Sequence, residues 1–201
     1  MEVLPLAFTS GWASGLNAYA TVLALGLLGR FAGLEAVPEA LQRTDLLIVA
    51  GVLALIEFFA DKIPYVDTAW DGISTVLRPV AGATIGALLA GTQGDLMMVA
   101  LAAVGGVTAL VSHLIKAGLR LAINTSPEPV TNIGASVLED STAVGVTTLA
   151  ILFPVPAAII AGALLLIGII VAAWAFKRIL RGWAAFHRWY AKRTADAEMS
   201  T

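Results

Sequence analysis

The sequence predicts an all-α polytopic membrane helix bundle with about six membrane segments, some short or re-entrant, and a C-terminal amphipathic interfacial helix. Three observations support this fold class. The 201 residues are 59% hydrophobic and only 13% charged, whereas a soluble domain is roughly 25% charged. The mean hydropathy is +0.88. Long apolar segments follow one another along the chain, which indicates that much of the surface faces lipid.

Six apolar segments divide the predicted membrane domain, residues 1–176. They span residues 8–31, 46–60, 73–91, 96–121, 141–153 and 155–176. The last two belong to one apolar run that is too long for a single crossing of roughly 20 residues. The sequence "FPVP" divides this run, because proline removes a backbone donor and restricts the residue before it.

The second and fifth segments are short for a full crossing. Each lies beside a polar, proline-containing stretch, residues 61–79 and residues 123–140. Short, interrupted segments point to the binding site in many transporters. With these boundaries, Asp140 or Ser141 caps the start of the fifth helix. The alternative is that both helices extend into the polar stretches.

Residues 177–201 form the second predicted unit, a cytoplasmic basic amphipathic helix with a tail. In "KRILRGWAAFHRWYAKR", Ile179, Trp183, Phe186 and Tyr190 fall on one helical face, and Lys and Arg residues occupy the others. This pattern predicts a helix in the membrane interface that binds anionic lipid headgroups. The basic cluster places the C-terminus in the cytoplasm, and six crossings then place the N-terminus there too.

The stretch "IEFFADKIPYVDTAWDG" concentrates charge in this apolar chain. Its carboxylates are Glu57, Asp61, Asp67 and Asp71. Glu57 and Asp61 are four residues apart, so they share a helical face. A charge near the centre of a membrane helix costs roughly 2.5 kcal/mol or more. Glu57 must therefore face the interior, pair with a cation or hold a proton.

Several cations are available to pair with these carboxylates. Lys62 and Arg78 are nearest in sequence. His113, Lys116 and Arg120 are spaced three and four apart, so they form a stripe on one face of the fourth helix. Pairing between this stripe and the carboxylates would neutralise charge inside the bundle.

The predicted transport or ligand-binding residues are Asn17, Glu57, Asp61, Lys62, Asp67, Asp71, Arg78, His113, Glu139 and Asp140. We expect Glu57 and Asp61 to be the principal ligand or proton groups, and Glu139 and Asp140 to complete the site. Carboxylate oxygens suit hard cations, so these four residues are also the candidate ligands of a bound metal cation. No cofactor motif is identified.

Three functions remain open. The first is a small transporter or channel-like protein for a cation or a proton-coupled small solute. The second is a non-catalytic membrane scaffold or assembly factor whose charges only hold the helices together. The third, a lipid-modifying enzyme, would require lipid bound near Lys62 and Arg78.

No catalytic motif is found, so we expect no enzyme. We also expect a homo-oligomer, because one copy is small for a transporter, and no nucleic-acid partner, because no basic groove is visible.

Three stretches resemble a known family: "GWASGLNAYATVLALGLLGR", "EFFADKIPYVDTAWDGISTVLRPVAGA" and "VLEDSTAV". They are similar to a bacterial integral membrane family catalogued as domain of unknown function 4126, and the likeness covers about residues 5 to 175. The resemblance implies a multi-pass protein of the bacterial inner membrane. It brings no established substrate or reaction. Its motifs coincide with most of the candidate site residues, which implies that they belong to one site.

Overall fold

The computed structural model describes residues 3–63, 65–124 and 129–198, and these residues form seven α-helices, one short 3-10 helix and no strand. The α-helices are α1 Val3–Leu16, α2 Ala18–Ala32, α3 Thr44–Ala60, α4 Val66–Ala90, α5 Asp95–Asn124, α6 Pro129–Leu152 and α7 Pro154–Glu198. The 3-10 helix Glu39–Gln42 lies between α2 and α3. The predicted all-α class is confirmed.

Among the described residues, four helical segments are long and apolar enough to cross a bilayer: α4, α5, residues 130–152 of α6 and residues 154–183 of α7. Large apolar side chains cover the outside of the bundle, and those on α7 are the most exposed group. Such a surface is compatible with lipid and incompatible with water. Membrane character therefore follows from the helices, whereas a count of six crossings does not.

The α4–α5 hairpin is the centre of the bundle and provides a reference for direction. Its two antiparallel helices are joined by Gly91–Gly94. Gly82 and Gly86 press against the backbone of α5 near Gly105, so that a Cβ atom on either glycine would overlap with α5. Small residues allow this close approach where no hydrophobic effect drives helix association. We call the end with this turn the Gly91 end, and the opposite end, where α6 begins, the Pro129 end.

The first predicted segment does not cross the bundle but turns back halfway. α1 runs beside α5 from the Gly91 end, because Leu6 packs in one apolar cluster with Ile85 and Leu101, whereas the carbonyl of Leu16 contacts Lys116. α2 then returns to the Gly91 end, where Leu25 joins the same apolar cluster. The two helices form a re-entrant hairpin whose tip lies inside the bundle.

Asn17 causes the break between α1 and α2. Its backbone is extended, with φ −151° and ψ 101°. Its side-chain Oδ1 accepts a 2.8 Å hydrogen bond from the backbone N–H of Ala20. Asparagine favours such a cap over a helix interior, because its side chain competes for backbone donors. The sequence analysis singled out Asn17 but treated residues 8–31 as one segment.

The described chain begins and finishes at opposite ends of the bundle. Ala157, near the start of α7, packs in the apolar cluster at the Gly91 end. Further along, Gly168 lies against Ile115 of α5, so α7 runs parallel to α5 toward the Pro129 end. The predicted arrangement, with both termini on one side, counted the first segment as a crossing; the orientation of the termini in a membrane stays a prediction.

Several helix boundaries differ from the sequence prediction. The N-terminal ends of α4 and α6 lie seven and twelve residues earlier than predicted. Asp140 and Ser141 consequently lie inside α6, so neither is an N-cap and the fifth segment is not short. The break at "FPVP" is confirmed, since α6 ends at Leu152 and α7 begins at Pro154. The predicted separate C-terminal helix is not seen, because α7 continues without interruption to Glu198.

Candidate functional site

The tip of the re-entrant hairpin meets a layer of charged side chains between α3, α4, α5 and α6. Eight of them are buried: Glu57, Asp61, Asp67, Asp71, Arg78, His113, Lys116 and Arg120. Lys62, Glu139 and Asp140 lie at the edge of the same layer and are half-buried. We call these eleven residues the charge network. Its position inside an apolar bundle means that each charge must be compensated locally.

Arg78 of α4 compensates the carboxylates nearest the middle of the bundle. Its Nη2 donates a short hydrogen bond to Glu57 of α3. Its Nη1 lies 3.3 Å from Asp71 Oδ1 and donates to the carbonyl of Gly15 at 3.2 Å. The guanidinium fork thus holds α3, α4 and the C-terminal end of α1 together.

The hydrogen bonds of His113 define its tautomer. Arg78 Nη1 lies 2.7 Å from His113 Nδ1, and because arginine only donates, Nδ1 accepts. Thr75 Oγ1 lies 3.0 Å from Nε2 and already donates its hydrogen to the carbonyl of Asp71. A neutral imidazole with its hydrogen on Nε2 satisfies both contacts, so His113 does not add a positive charge to the network.

Lys116 lies about one helical turn after His113 on α5. Like Arg78, it contacts a carboxylate near the end of α3 and a carbonyl at the end of α1. Its Nζ donates to Asp61 Oδ2 at 2.6 Å and to the carbonyl of Leu16 at 3.0 Å. It also lies 3.5 Å from Glu139 Oε2. The three donors of the ammonium group are therefore directed to α3, to the end of α1 and to α6.

Arg120 completes the network at the Pro129 end. It donates to Glu139 Oε2 at 2.7 Å and to the carbonyl of Asp61 at 3.1 Å. It also makes a short hydrogen bond to the side chain of Asn132 on α6. Asp67 is held by Asn124, whose Nδ2 lies 2.9 Å and 3.0 Å from the two carboxylate oxygens.

The break at Asn17 places two helix ends inside this network. The C-terminal end of α1 carries partial negative charge, and its last two carbonyls accept from Arg78 and Lys116. At the start of α2, Asn17 Nδ2 donates to Asp140 Oδ1 at 2.9 Å. Cations thus meet the negative helix end and a carboxylate lies near the positive one.

Lys62 lies in the turn between α3 and α4 at the edge of the network. Its Nζ donates to the carbonyl of Phe58 at 2.8 Å and to Ser136 Oγ at 3.3 Å. Partial burial lowers the pKa of Lys62, while the carboxylates of Asp140 and Asp61 act in the opposite direction. No carboxylate pairs directly with Lys62 among the described residues.

Carboxyl groups outnumber cations in this part of the structure. Among the described residues, the network contains six carboxyl groups and four basic side chains, an excess of two. The six are Glu57, Asp61, Asp67, Asp71, Glu139 and Asp140, and the four are Lys62, Arg78, Lys116 and Arg120.

Several buried carboxylate oxygens also lack a hydrogen-bond partner among the described residues: Glu57 Oε2, Asp61 Oδ1, both oxygens of Asp71 and Asp140 Oδ2. A buried anionic oxygen without a donor is costly. The network can therefore take up protons or a cationic ligand.

In the part of the chain that the structure describes, two cavities touch the network. The smaller, about 180 Å³, lies between α4 and α5, and its lining includes Asp71 and Thr75. The larger, about 310 Å³, lies between α1, α5, α6 and α7, and Lys116 and Glu139 form its polar side. A small solute can thus approach the network from two directions.

The structure gives no support to the predicted metal ligands. In residues 3–63, 65–124 and 129–198, no three His, Asp or Glu side chains converge as they would around a metal ion. Glu57 and Asp61 are instead directed to Arg78 and Lys116, and Glu139 to Arg120. Arginine and lysine occupy the positions between the carboxylates where a cation would otherwise bind.

All ten residues predicted as one site lie in or beside the charge network. Nine of them contact another network member or the Asn17 tip, and Lys62 donates to Ser136 Oγ of α6. Lys116 and Arg120 were predicted as part of a cationic stripe but not as site residues. The carbonyls of Gly15 and Leu16 were not predicted, because only the helix break makes them available to Arg78 and Lys116.

Comparison with known proteins gives one match. A family profile described as a domain of unknown function (DUF4126) matches residues 4–174. The matched region contains the re-entrant hairpin and every member of the charge network. No curated protein matches the chain, and neither does a solved structure.

Proposed function

The chain belongs to the DUF4126 family, described as a domain of unknown function, and because this description names no activity we propose a function from the charge network alone. We propose that the protein is a small membrane transporter or channel-like protein for a cation or a proton-coupled small solute. The network would bind the transported cation or proton inside the bundle. The proposal requires no resident metal ion and no cofactor.

The observation that carries this proposal is the excess of carboxyl groups over basic side chains in the charge network, which is four against three among its buried members and six against four in the whole network. Carboxyl groups beyond the number of cations cannot all remain ionised in an apolar bundle without a large energetic cost. They must bind protons or an external cation. A group whose charge depends on such binding is what a proton-coupled transporter needs, and a purely structural network has no use for it.

The geometry supports specific roles. Asp71 has two oxygens without donors and lines the cavity between α4 and α5, so it is the carboxyl group best placed to exchange a proton. Glu57 shares Arg78 with Asp71. Protonation of Asp71 would therefore transfer Arg78 more fully to Glu57. Arg78 also contacts the carbonyl of Gly15, so this change would reach the tip of the re-entrant hairpin.

Proton flux into proteoliposomes tests the proposal. A pH-sensitive dye inside the vesicles should report flux with the unmodified protein, and Asp71→Asn and Glu57→Gln should reduce it at least roughly tenfold. Asp45→Asn is the matched control, because Asp45 pairs with Arg43 on the surface, with both side chains largely exposed. Retention volume in size-exclusion chromatography would verify folding of each variant. Undiminished flux in both network variants would contradict these roles.

The second candidate is a scaffold or assembly factor in which the network is structural. It is favoured by the number of helices that the network joins, since Arg120 alone contacts α3 and α6 from α5. On this alternative, no variant alters flux because the unmodified protein conducts nothing, and Asp71→Asn affects only stability. A lipid-modifying enzyme is less well supported, because Arg78 is buried and cannot meet a headgroup at the membrane surface.

We further propose the inner membrane of a bacterium as the location, as the resemblance of the sequence motifs implies. The basic C-terminal part of α7, at the Pro129 end of the bundle, would face the cytoplasm and bind anionic lipid headgroups. The N-terminus would lie on the opposite side. A homo-oligomer remains our expectation, because a single copy offers few helices from which to build a pathway. We propose no nucleic-acid partner.

A further inference from the structure

The larger cavity has apolar walls and one polar side. Trp12 of α1, Leu119 of α5, and Leu164 and Leu165 of α7 contribute apolar surface. Among the described residues that line it, Lys116 and Glu139 are the charged ones. Its volume of about 310 Å³ is at the lower limit of pockets that bind small organic molecules. An occupant would have to be a small amphiphile.

The ammonium and hydroxyl donors around this cavity are already used. Lys116 Nζ is engaged by Asp61, the carbonyl of Leu16 and Glu139. Ser112 Oγ donates to the carbonyl of Trp12 at 2.8 Å. Thr142 Oγ1 donates to the carbonyl of Leu138 at 2.6 Å. An anionic ligand would therefore have to compete for these donors.

An acceptor, in contrast, remains available. Glu139 Oε2 accepts from Arg120 and faces Lys116, whereas Oε1 accepts no hydrogen bond from any residue that the structure describes. The Glu139 side chain is 18% exposed, compared with 1% for Asp61 and Lys116. Glu139 is thus the carboxylate through which the charge network reaches the cavity.

We propose that this cavity binds a lipophilic amine, with its ammonium group on Glu139 Oε1 and its apolar body against α1 and α7. A cationic head matches the excess negative charge of the network, and a donor matches the free acceptor. The inference rests on the proposed transport function, for which it names the solute class.

Access to the cavity is from the apolar outer surface of the bundle. Leu138, which belongs to the lining, is 69% exposed on the outside of the bundle, and Ile167 of α7 is exposed beside it. An apolar amine dissolved in the bilayer could therefore reach Glu139 without crossing water. This route excludes strongly hydrated cations from the site.

Calorimetric titration of the protein in lipid nanodiscs tests the proposal, with empty nanodiscs subtracted. The probes are n-octylamine, n-octanol and octanoate, which share one chain and differ in their head group. We expect saturable binding of octylamine at least about tenfold tighter than binding of the other two, because only the ammonium pairs with a carboxylate. Equal binding of octanol or octanoate, or heat no larger than that of empty nanodiscs, would overturn the proposal.

Three variants localise the site. Glu139→Gln should weaken octylamine binding at least about tenfold. Leu164→Trp fills the cavity and leaves every charged residue in place, so it should abolish binding even if Glu139→Gln does not fold. Leu166→Trp is the matched control, because Leu166 is 59% exposed on the outer side of the same helix. Binding unchanged by Leu164→Trp would place the amine elsewhere and end the proposal.

The outcome is distinguishable from failure of the proposed function. Proton flux without octylamine binding would remove the amine site and leave proton transport intact. Octylamine binding that is lost in Leu164→Trp, in a protein without any flux, would support the site and remove transport. The two measurements use different preparations, so neither result depends on the other.

Discussion

At the residue scale, Arg78 shows how the bundle compensates buried charge. With Arg120, it is one of the two largest fully buried side chains among the described residues, and it contacts Glu57, Asp71, His113 and the carbonyl of Gly15. Burying an ion pair gains little stability by itself, because desolvation offsets the attraction. Removing one partner is costly, since the remaining charge is left in an apolar surrounding. Loss of Arg78 would therefore destabilise the protein mainly because Glu57 and Asp71 would remain buried without a cation.

Arg78→Gln should lower the free energy of unfolding by about 3–5 kcal/mol, because Glu57 and Asp71 lose their cation. Adding Glu57→Gln should recover part of this loss, since one uncompensated carboxylate is then removed. Reversible unfolding in mixed detergent–SDS micelles would measure both values.

The exposed pair Arg43–Asp45 provides the control for this experiment. Arg43→Gln should leave stability nearly unchanged, because both side chains of the pair are solvated. An equal loss for Arg78→Gln and for the double variant would show that Glu57 does not depend on Arg78.

Sequence reasoning identified these residues because charge is conspicuous in an apolar chain. Glu57 and Asp61 stood out among apolar neighbours, and the stripe at His113 followed from helical spacing. The partners of each charge were not predictable. Glu57 pairs with Arg78 and Asp61 with Lys116 because of the positions of α3, α4 and α5 along their axes relative to one another. These relative positions depend on packing between the helices.

At the element scale, the re-entrant hairpin is the feature that gives the network its shape. α1 is buried on nearly all sides, and its buried residues include every position from Thr9 to Gly15. Its glycines and serines allow α5 to approach closely, and Ser112 returns a hydrogen bond to the carbonyl of Trp12. The small residues of α1 are therefore needed for its position next to Lys116.

Gly15→Ala should destabilise the protein by about 1–3 kcal/mol, because the new Cβ would overlap with the backbone carbonyl of Ala109 and with Ser112 Oγ. Unfolding in mixed micelles would measure the change. Gly118→Ala is the control on α5, since nothing lies within 4 Å of its Cβ position. It should be neutral or stabilise by up to about 1 kcal/mol. Similar destabilisation by both substitutions would argue against tight α1–α5 packing.

The sequence predicted that α3–α7 exist, but it did not predict where several helices begin or end. The apolar pattern located α3 and α5 within a few residues, because their ends coincide with polar turns. It misplaced the starts of α4 and α6, where Asp67, Asp71, Glu139 and Asp140 are helical because they face a charged interior. The same pattern could not show that Asn17 divides one segment into two helices, since a single asparagine leaves the apolar periodicity intact.

At the scale of the whole molecule, the hairpin determines at which end of the bundle the N-terminal end of α1 lies. It places the N-terminal end of α1 beside the α4–α5 turn. A protein with six full crossings would instead place the N-terminal end beside the start of α6. The chain contains no cysteine, so single cysteines can report on this difference without interference.

A membrane-impermeant maleimide should label Leu4→Cys and Thr92→Cys from the same side of the vesicle, and Val130→Cys from the other. All three positions are exposed, and the first two lie at the Gly91 end. Labelling before and after detergent permeabilisation gives the assignment. If Leu4→Cys is labelled together with Val130→Cys, the first segment crosses the membrane and the hairpin is not re-entrant.

The length of α7 has a mechanical consequence. A continuous helix of 45 residues is about 68 Å long, which is more than twice the roughly 30 Å thickness of the hydrocarbon layer. More than half of it must therefore extend past that layer as a stiff lever. Pivoting its anchored portion by about 10° would move the distant tip by about 7 Å, slightly more than the pitch of one helical turn.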